Sequence, residues 1–156
     1  MDCLNSLQME VIFQLLLAAL LGGLLGLERE YMRKEAGLRT YSLVCLGAAL
    51  FTIISYATFR LFIGQAGIDF DPTRIIGQIV LGIGFLGAGL IIFRGSHIEG
   101  LTTAAGLWVT AAIGVAIGAG FYFPAIFATV LAIGILAGLR LVEEKIFGKE
   151  KEKLEK

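Results

Sequence analysis

The sequence has 156 residues and a formal net charge of zero, with 57% hydrophobic residues and 21 glycines. Soluble domains carry a charge on roughly 25% of their residues, whereas the proportion here is 17%. These figures exclude an ordinary soluble domain, because too few polar residues remain to cover a water-facing surface. An aqueous catalytic domain is excluded with it, so no enzymatic activity is expected.

Four stretches contain no charged residue: 11–27, 40–59, 75–93 and 100–139. A helix needs about 20 apolar residues to cross roughly 30 Å of hydrocarbon. The first three stretches match one span each, and the fourth is long enough for two spans joined by a turn before Pro124. The sequence therefore predicts an all-α, polytopic transmembrane bundle of five spans. It forms one domain over residues 1–142, followed by a charged cytoplasmic tail over 143–156.

The five spans are predicted in chain order at Glu10–Leu27, Tyr41–Phe59, Ile75–Phe93, Leu101–Gly118 and Pro124–Leu141. Asp71 and Pro72 precede the third span, where Asp caps a helix well and Pro suits the first helical position. Trp108 lies about two turns inside the fourth span, which is too deep for an interfacial aromatic residue. We therefore expect Trp108 to fill a helix interface.

Ten of the thirteen Lys and Arg residues lie in the segments 28–40 and 140–156. With five spans both segments lie on the same side of the membrane, and the positive-inside rule places that side in the cytoplasm. The N-terminus is then outside and the C-terminus inside. No basic residue precedes the first span, so this span is not expected to be a cleaved signal peptide.

Small residues spaced by four occur in several spans: Gly22 and Gly26, Gly84 and Ala88, Gly114 and Gly118, and Gly134 and Gly138. This spacing lets two helix backbones approach closely in lipid. It predicts either packing within one bundle or the contact face of a homo-oligomer, most simply a dimer. The glycines at 82–87 also match a dinucleotide-binding pattern, but that motif needs a βαβ unit and is excluded inside a membrane span.

The predicted spans hold no ionisable side chain except at their ends. Proton-coupled carriers usually keep an acidic residue or a histidine within the membrane, so this pattern disfavours such a carrier, although a path lined by carbonyls stays open. His97 has no second His or Cys nearby, which disfavours a metal site. No cofactor is expected, with Mg²⁺ as a ligand kept as an alternative. Cys3 and Cys45 are expected to be structural.

Charged residues gather at the two membrane faces. On the outer face, Asp69, Asp71, Arg60 and Arg74 predict an ion-pair cluster that holds one corner of the bundle. The alternative is a cation-sensing site, since Mg²⁺ prefers carboxylate oxygens.

On the inner face, Glu30 and Lys34 have the spacing of a helical ion pair. The neighbouring arginines are expected to face lipid headgroups.

Five segments then form a pattern in chain order: GLERE at 26–30, AGLRT at 36–40, DPTRI at 71–75, GIGFLGAG at 82–89, and GLTTAA at 100–105 followed by Trp108. Together they resemble the MgtC/SapB family of bacterial inner-membrane proteins over about residues 8–142. The resemblance implies a bacterial inner-membrane protein linked to growth in low magnesium, in a family related to virulence. Some members are described as inhibitors of the F-type ATP synthase, and older descriptions call the family magnesium transporters.

The resemblance also implies candidate functional residues, which are Glu28, Arg29, Arg39, Asp71, Arg74, Thr102 and Trp108. Longer members append a soluble domain, so a short form without that domain is expected here, and any virulence role is left open. Two functions follow: a regulator that binds another membrane complex such as the F-type ATP synthase, or a transporter or channel for Mg²⁺ or another small solute.

Overall fold

The computed structural model describes residues 2–62, 71–95, 97–140 and 145. Within these residues the chain forms five helices long and apolar enough to cross a membrane. They are α1 Asp2–Tyr31, α2 Leu38–Phe62, α3 Thr73–Leu90, α4 Leu101–Gly118, and α5 Tyr122–Ile133, which continues as a π-helix over Gly134–Leu139. The predicted all-α bundle of five spans is thereby confirmed. Apart from Lys145, the predicted tail at 143–156 lies outside the described residues.

A short β-hairpin connects α3 to α4. Strand β1, Ile92–Arg94, pairs antiparallel with β2, His97–Glu99, so that Phe93 lies opposite Ile98. The prediction that the third span reaches Phe93 was wrong, because α3 ends at Leu90 and Ile91 is already extended, with φ −85° and ψ 112°. β-branched and aromatic residues such as Ile92 and Phe93 favour extended backbone. The last residues of the apolar run therefore form a strand and not the end of α3.

Helix α4 lies at the centre of the bundle and contacts each of the other four helices. Half of its residues are buried, compared with 11% for α3 and for the span formed by α5 and the π-helix. Its buried side chains Leu107, Ile113 and Ile117 form much of the core. Helices α1, α2 and α4 thus make a compact three-helix core, and α3 and α5 flank it.

Four glycines bring the helices of this core together. A Cβ atom on Gly22 or Gly26 would lie 2.6 Å from Tyr41 O or Leu38 Cα of α2. On α4, a Cβ atom on Gly114 would clash with the carbonyl oxygen of Cys45, and one on Gly118 would lie 2.6 Å from Ala49 O. The predicted packing role is confirmed for these four glycines, which bring helices of the same chain together.

The remaining predicted packing glycines behave differently. A Cβ atom on Gly84, Gly134 or Gly138 would meet nothing within 4 Å in the described structure. The prediction that they pack helices together is wrong within one chain, because their faces point away from the core. The only four-spaced glycine pair with an open face in the described residues is therefore Gly134 and Gly138.

Candidate functional site

A buried ion pair marks the end of α1 at the face predicted to be cytoplasmic. The Arg29 side chain is 3% exposed and pairs with Glu28, whose side chain is 11% exposed. The Glu28 Oε1 atom is buried and has no hydrogen-bond partner among the described residues. The expectation that the arginines face lipid headgroups is wrong for Arg29, because a charge buried in the protein is tolerated only when it is paired.

The carboxylate of Glu30 caps the next helix. Its Oε2 atom accepts a hydrogen bond from the backbone N–H of Leu38, at 3.1 Å, where α2 begins. Gly37 leaves room for this carboxylate, since a Cβ atom there would clash with Glu30 Oε2. The predicted ion pair between Glu30 and Lys34 is absent from the described structure, because Glu30 turns to the free N–H group of α2 instead.

Tyr41 and Thr103 tie α4 to the connection between α1 and α2. The Tyr41 hydroxyl donates to the backbone carbonyl of Thr103 at 3.0 Å, and Thr103 Oγ1 donates to Glu35 Oε2 at 3.3 Å. Gly106 makes space for the ring, because a Cβ atom there would lie 2.5 Å from the Tyr41 hydroxyl oxygen. We call the set Glu28, Arg29, Glu35, Tyr41 and Thr103 the inner polar cluster.

The inner polar cluster includes residues that the sequence did not single out. Thr102 was the predicted site residue, but it is exposed, whereas its neighbour Thr103 is 2% exposed and makes the contacts. Tyr41 is fully buried although it lies at the start of a span. The signal that could have found it is the glycine at 106, which leaves room for a large side chain from another helix.

The face predicted to be outside has a helix cap at the predicted place. Asp71 Oδ1 accepts hydrogen bonds from Thr73 N at 2.8 Å and from Thr73 Oγ1 at 2.7 Å. The hydrogen bond from the Thr73 hydroxyl has the largest effect on the pKa of the Asp71 carboxyl and lowers it, and the charge of Arg74 has the smallest effect. The Ser55 hydroxyl donates to Pro72 O at 3.1 Å, which joins this turn to α2.

The predicted outer ion-pair cluster is wrong for its described members. Asp71 forms no ion pair with Arg60 or Arg74 in the described residues, because its carboxylate binds the first turn of α3. The fourth predicted member, Asp69, lies outside the described residues. No group of three His, Cys, Asp or Glu side chains is placed to hold a metal ion within the described part of the chain.

Three helices also meet through Gln14 near the outer face. The Gln14 side-chain amide donates to Ile117 O at 3.2 Å and to the Tyr122 hydroxyl at 3.1 Å. The Tyr122 hydroxyl in turn donates to Glu10 at 3.4 Å, and its ring contacts Phe13 edge to face. Gln14 therefore joins α1 to α4 and α5, a structural role that satisfies its buried amide.

Trp108 does not fill a helix interface. Its side chain is 53% exposed on α4, so the prediction of an interior position is wrong within one chain.

A groove of about 800 Å³ lies between α2 and α3. We call it the α2–α3 groove; Arg39 lies at one end, and Gly47, Phe51, Ile79, Gly82 and Leu86 are among its lining residues. It exists because α3 packs mainly on α4 and diverges from α2. Arg39 is exposed at the groove, whereas Arg29 is buried in its ion pair, although both residues lie at the same membrane face.

The family model described as the MgtC family matches residues 15–145 of this chain. The chain belongs to the MgtC family. It is 46% identical over 127 residues to the "Putative magnesium transporter YhiD" of Escherichia coli K12, covering 81% of this chain and 59% of that protein. It is 50% identical over 123 residues to "Protein MgtC" of Brucella abortus strain 2308, covering 79% of this chain and 48% of that protein.

Membership of the MgtC family, together with five candidate membrane spans, establishes a multi-pass protein of the bacterial inner membrane. The chain spans about half to three-fifths of the length of these curated relatives. No solved structure matches it significantly. In this MgtC-family chain the GLERE and GLTTAA segments contribute Glu28, Arg29 and Thr103 to the inner polar cluster, and Leu38 of AGLRT donates to Glu30 of GLERE beside it. The DPTRI segment lies at the opposite end of α2.

Proposed function

We propose that this chain is a non-enzymatic regulator that binds another membrane complex through the lipid-facing sides of α3 and α5. The observation that supports this proposal is their packing, because only 11% of the residues in each of these two spans are buried. Large apolar side chains such as Phe85 and Phe127 are 81% and 60% exposed there. Exposed faces of this kind suit the close packing that joins membrane helices.

Buried polar groups within the spans argue against a hydrophilic path. The hydroxyls of Thr52, Thr110 and Thr129 each donate at 2.8 Å to a carbonyl of their own helix, four residues earlier. These three side chains are at most 2% exposed, so their hydroxyl oxygens face the packed interior and line no open path. This supports a regulator rather than a transporter as the function of the bundle.

The proposed physiological setting rests on the relatives, and the proposed partner rests on the family resemblance. Two of them carry names connected with magnesium or with MgtC, and we propose that this chain likewise serves adaptation to low magnesium. The F-type ATP synthase is the candidate partner. The second candidate function, a transporter or channel for Mg²⁺ or another small solute, is favoured by the printed name of the Escherichia coli relative.

Site-specific photo-crosslinking in cells tests the regulator. A photoreactive residue replaces Phe85 on α3 or Phe127 on α5, and the matched control replaces Leu16 on α1, which is 67% exposed on a helix of the core. We expect adducts with a subunit of the ATP synthase, identified by mass spectrometry, from the first two positions and not from the third. Adducts with lipid alone at all three positions would contradict the proposal.

We also propose a homo-oligomer, most simply a dimer, whose contact includes the open face of Gly134 and Gly138. Replacing both glycines by Leu would block close approach of a second helix there. We expect the mass in detergent to fall to that of a monomer, while Gly77→Leu on α3, which also meets open space, leaves it unchanged. An unchanged mass after the double replacement would remove this face from the contact.

A further inference from the structure

The α2–α3 groove is shaped by two glycines that pack against nothing. A Cβ atom on Gly47 or Gly82 would meet no atom within 4 Å, yet both residues line the groove. They widen the space instead of drawing the helices together. Its volume of about 800 Å³ falls in the range of roughly 300–1,000 Å³ that is typical of sites for small molecules.

The groove is shorter than the hydrocarbon core of the bilayer. From Arg39 to Phe51 the α2 wall covers twelve residue steps, which is about 18 Å at the helical rise of about 1.5 Å per residue. The α3 wall runs from Ile75, in the first turn of α3, past Gln78 to Leu86, which is eleven residue steps. Both walls are shorter than the hydrocarbon core, which is about 30 Å thick. A transmembrane helix of a second copy would need the full thickness, whereas a lipid chain from one leaflet would not.

The chemistry of the groove changes along its length. Most of its lining is apolar, and Arg39 with the Thr40 hydroxyl lies at the end that the positive-inside rule assigns to the cytoplasm. Arg39 forms no ion pair with an acidic side chain among the described residues. A guanidinium group binds phosphate oxygens through paired hydrogen bonds, and cytoplasmic leaflets attract basic residues through their anionic lipids.

We propose that the α2–α3 groove binds an anionic phospholipid of the inner leaflet, with one acyl chain between α2 and α3 and the phosphate at Arg39. The acyl chain fills a space that would otherwise lack van der Waals partners. Arg39 supplies the charge that selects an anionic headgroup. This lipid site does not depend on the regulator role proposed above, because it requires no protein partner.

Quenching of tryptophan fluorescence by brominated phospholipids tests the site. The sequence contains one Trp, so Trp108→Phe combined with Phe51→Trp places the only reporter in the groove. Native Trp108, half exposed outside the groove, is the matched reporter for bulk lipid. In vesicles that mix phosphatidylcholine with phosphatidylglycerol, one or the other is brominated.

We compare quenching by brominated phosphatidylglycerol with quenching by brominated phosphatidylcholine, and we expect their ratio to be about fivefold higher at residue 51 than at Trp108. A fivefold ratio corresponds to about 1 kcal/mol, the contribution of one basic group at an anionic surface. Arg39→Gln should reduce the preference to the bulk value, and Arg39→Lys should retain part of it. Lys34→Gln removes an exposed charge of the connection just before α2 that does not line the groove, and it should leave the preference unchanged.

A filled groove gives a second variant that should fold. Gly47→Leu places a side chain in open space, and we expect it to lower quenching at residue 51 by either lipid. Equal quenching of the groove reporter by the two lipids would overturn the proposal. An equal loss of the anionic-lipid preference in Arg39→Gln and Lys34→Gln would also overturn it, because it would indicate a general effect of surface charge. Weak quenching by every lipid would overturn it as well, because it would indicate that a protein occupies the groove.

Discussion

Two glycines of the core helix α4 and two of the flanking helix α3 have opposite roles. On α4, Gly114 and Gly118 bring the backbone against α2, so that no Cβ atom fits without displacing its neighbours. On α3, Gly77 and Gly84 face open space. The same residue type therefore serves packing within the chain in one region and an accessible surface in the other. The comparison indicates that α1, α2 and α4 maintain the fold, while α3 and α5 leave most of their surface exposed.

The largest expected effect on stability comes from the buried ion pair of the core. Arg29→Met leaves the Glu28 carboxylate buried without its partner, and we expect a loss of about 3–5 kcal/mol of unfolding free energy. The double variant Glu28→Leu with Arg29→Met should recover most of it, since no unpaired charge remains. Thermal unfolding in detergent measures both. A destabilisation by Arg39→Met as large as that by Arg29→Met would contradict the distinction between buried and exposed arginines.

Overpacking a core glycine should have the next largest effect. Gly118→Leu forces α2 and α4 apart, and we expect a loss of roughly 1–3 kcal/mol or failure to accumulate. The matched variant Gly84→Leu has the same change of volume in open space and should unfold at the wild-type temperature. Quantitative immunoblots of membranes and melting curves compare the two. An equal loss of abundance or melting temperature in the two variants would contradict the distinction between the core helix α4 and the flanking helix α3.

The hydroxyl of Tyr41 should contribute a smaller amount. Tyr41→Phe removes its hydrogen bond to Thr103 O while keeping the ring, and we expect a loss of about 1 kcal/mol. Tyr31→Phe is the control, because Tyr31 is 83% exposed at the end of α1. Urea or thermal unfolding in a mild detergent compares the two variants. No difference between them would show that the hydroxyl of Tyr41 does not hold α4 in place.

The smallest effect on stability is expected at Asp71. Asn caps a helix about as well as Asp, so Asp71→Asn should fold and reach the membrane in normal amount. The pKa of Asp71 is lowered in the folded protein, so its contribution to stability is present above its ordinary pKa and is lost as the pH falls through the lowered one. Any stability difference between wild type and variant should therefore shrink in acid.

The functional expectation at Asp71 is larger. If its charge serves the proposed role in low magnesium, Asp71→Asn should abolish complementation of growth at low magnesium despite normal expression. Growth equal to wild type would leave Asp71 as a helix cap alone.

Which parts could be predicted follows from the range of the interactions. The spans and the cap at Asp71 depend on neighbouring residues, and the fourth span was predicted with its observed bounds, Leu101–Gly118. The bond from Tyr41 to Thr103 joins residues 62 positions apart and depends on how α2 and α4 pack. Apolar composition did not distinguish the end of α3 from the start of the strand at Ile92–Arg94, since Ile92 and Phe93 continue the apolar run.

The interior position expected for Trp108 failed for a related reason. A sequence shows how deep a residue lies in a span, but the side of the helix that meets its neighbours depends on tertiary packing. The prediction from spacing alone succeeded for Gly114 and Gly118, where two glycines share one face with the buried Ile117. It failed for Gly84, whose helix packs mostly through a different face.

The central proposal is that the bundle regulates a membrane partner and does not conduct ions. Purified protein in liposomes with a trapped Mg²⁺-sensitive dye, under an inward Mg²⁺ gradient, tests it most directly. We expect Mg²⁺ to enter no faster than in protein-free liposomes of the same lipid composition. Entry that rises with the amount of protein and saturates with Mg²⁺ concentration would contradict the regulator and establish the transporter.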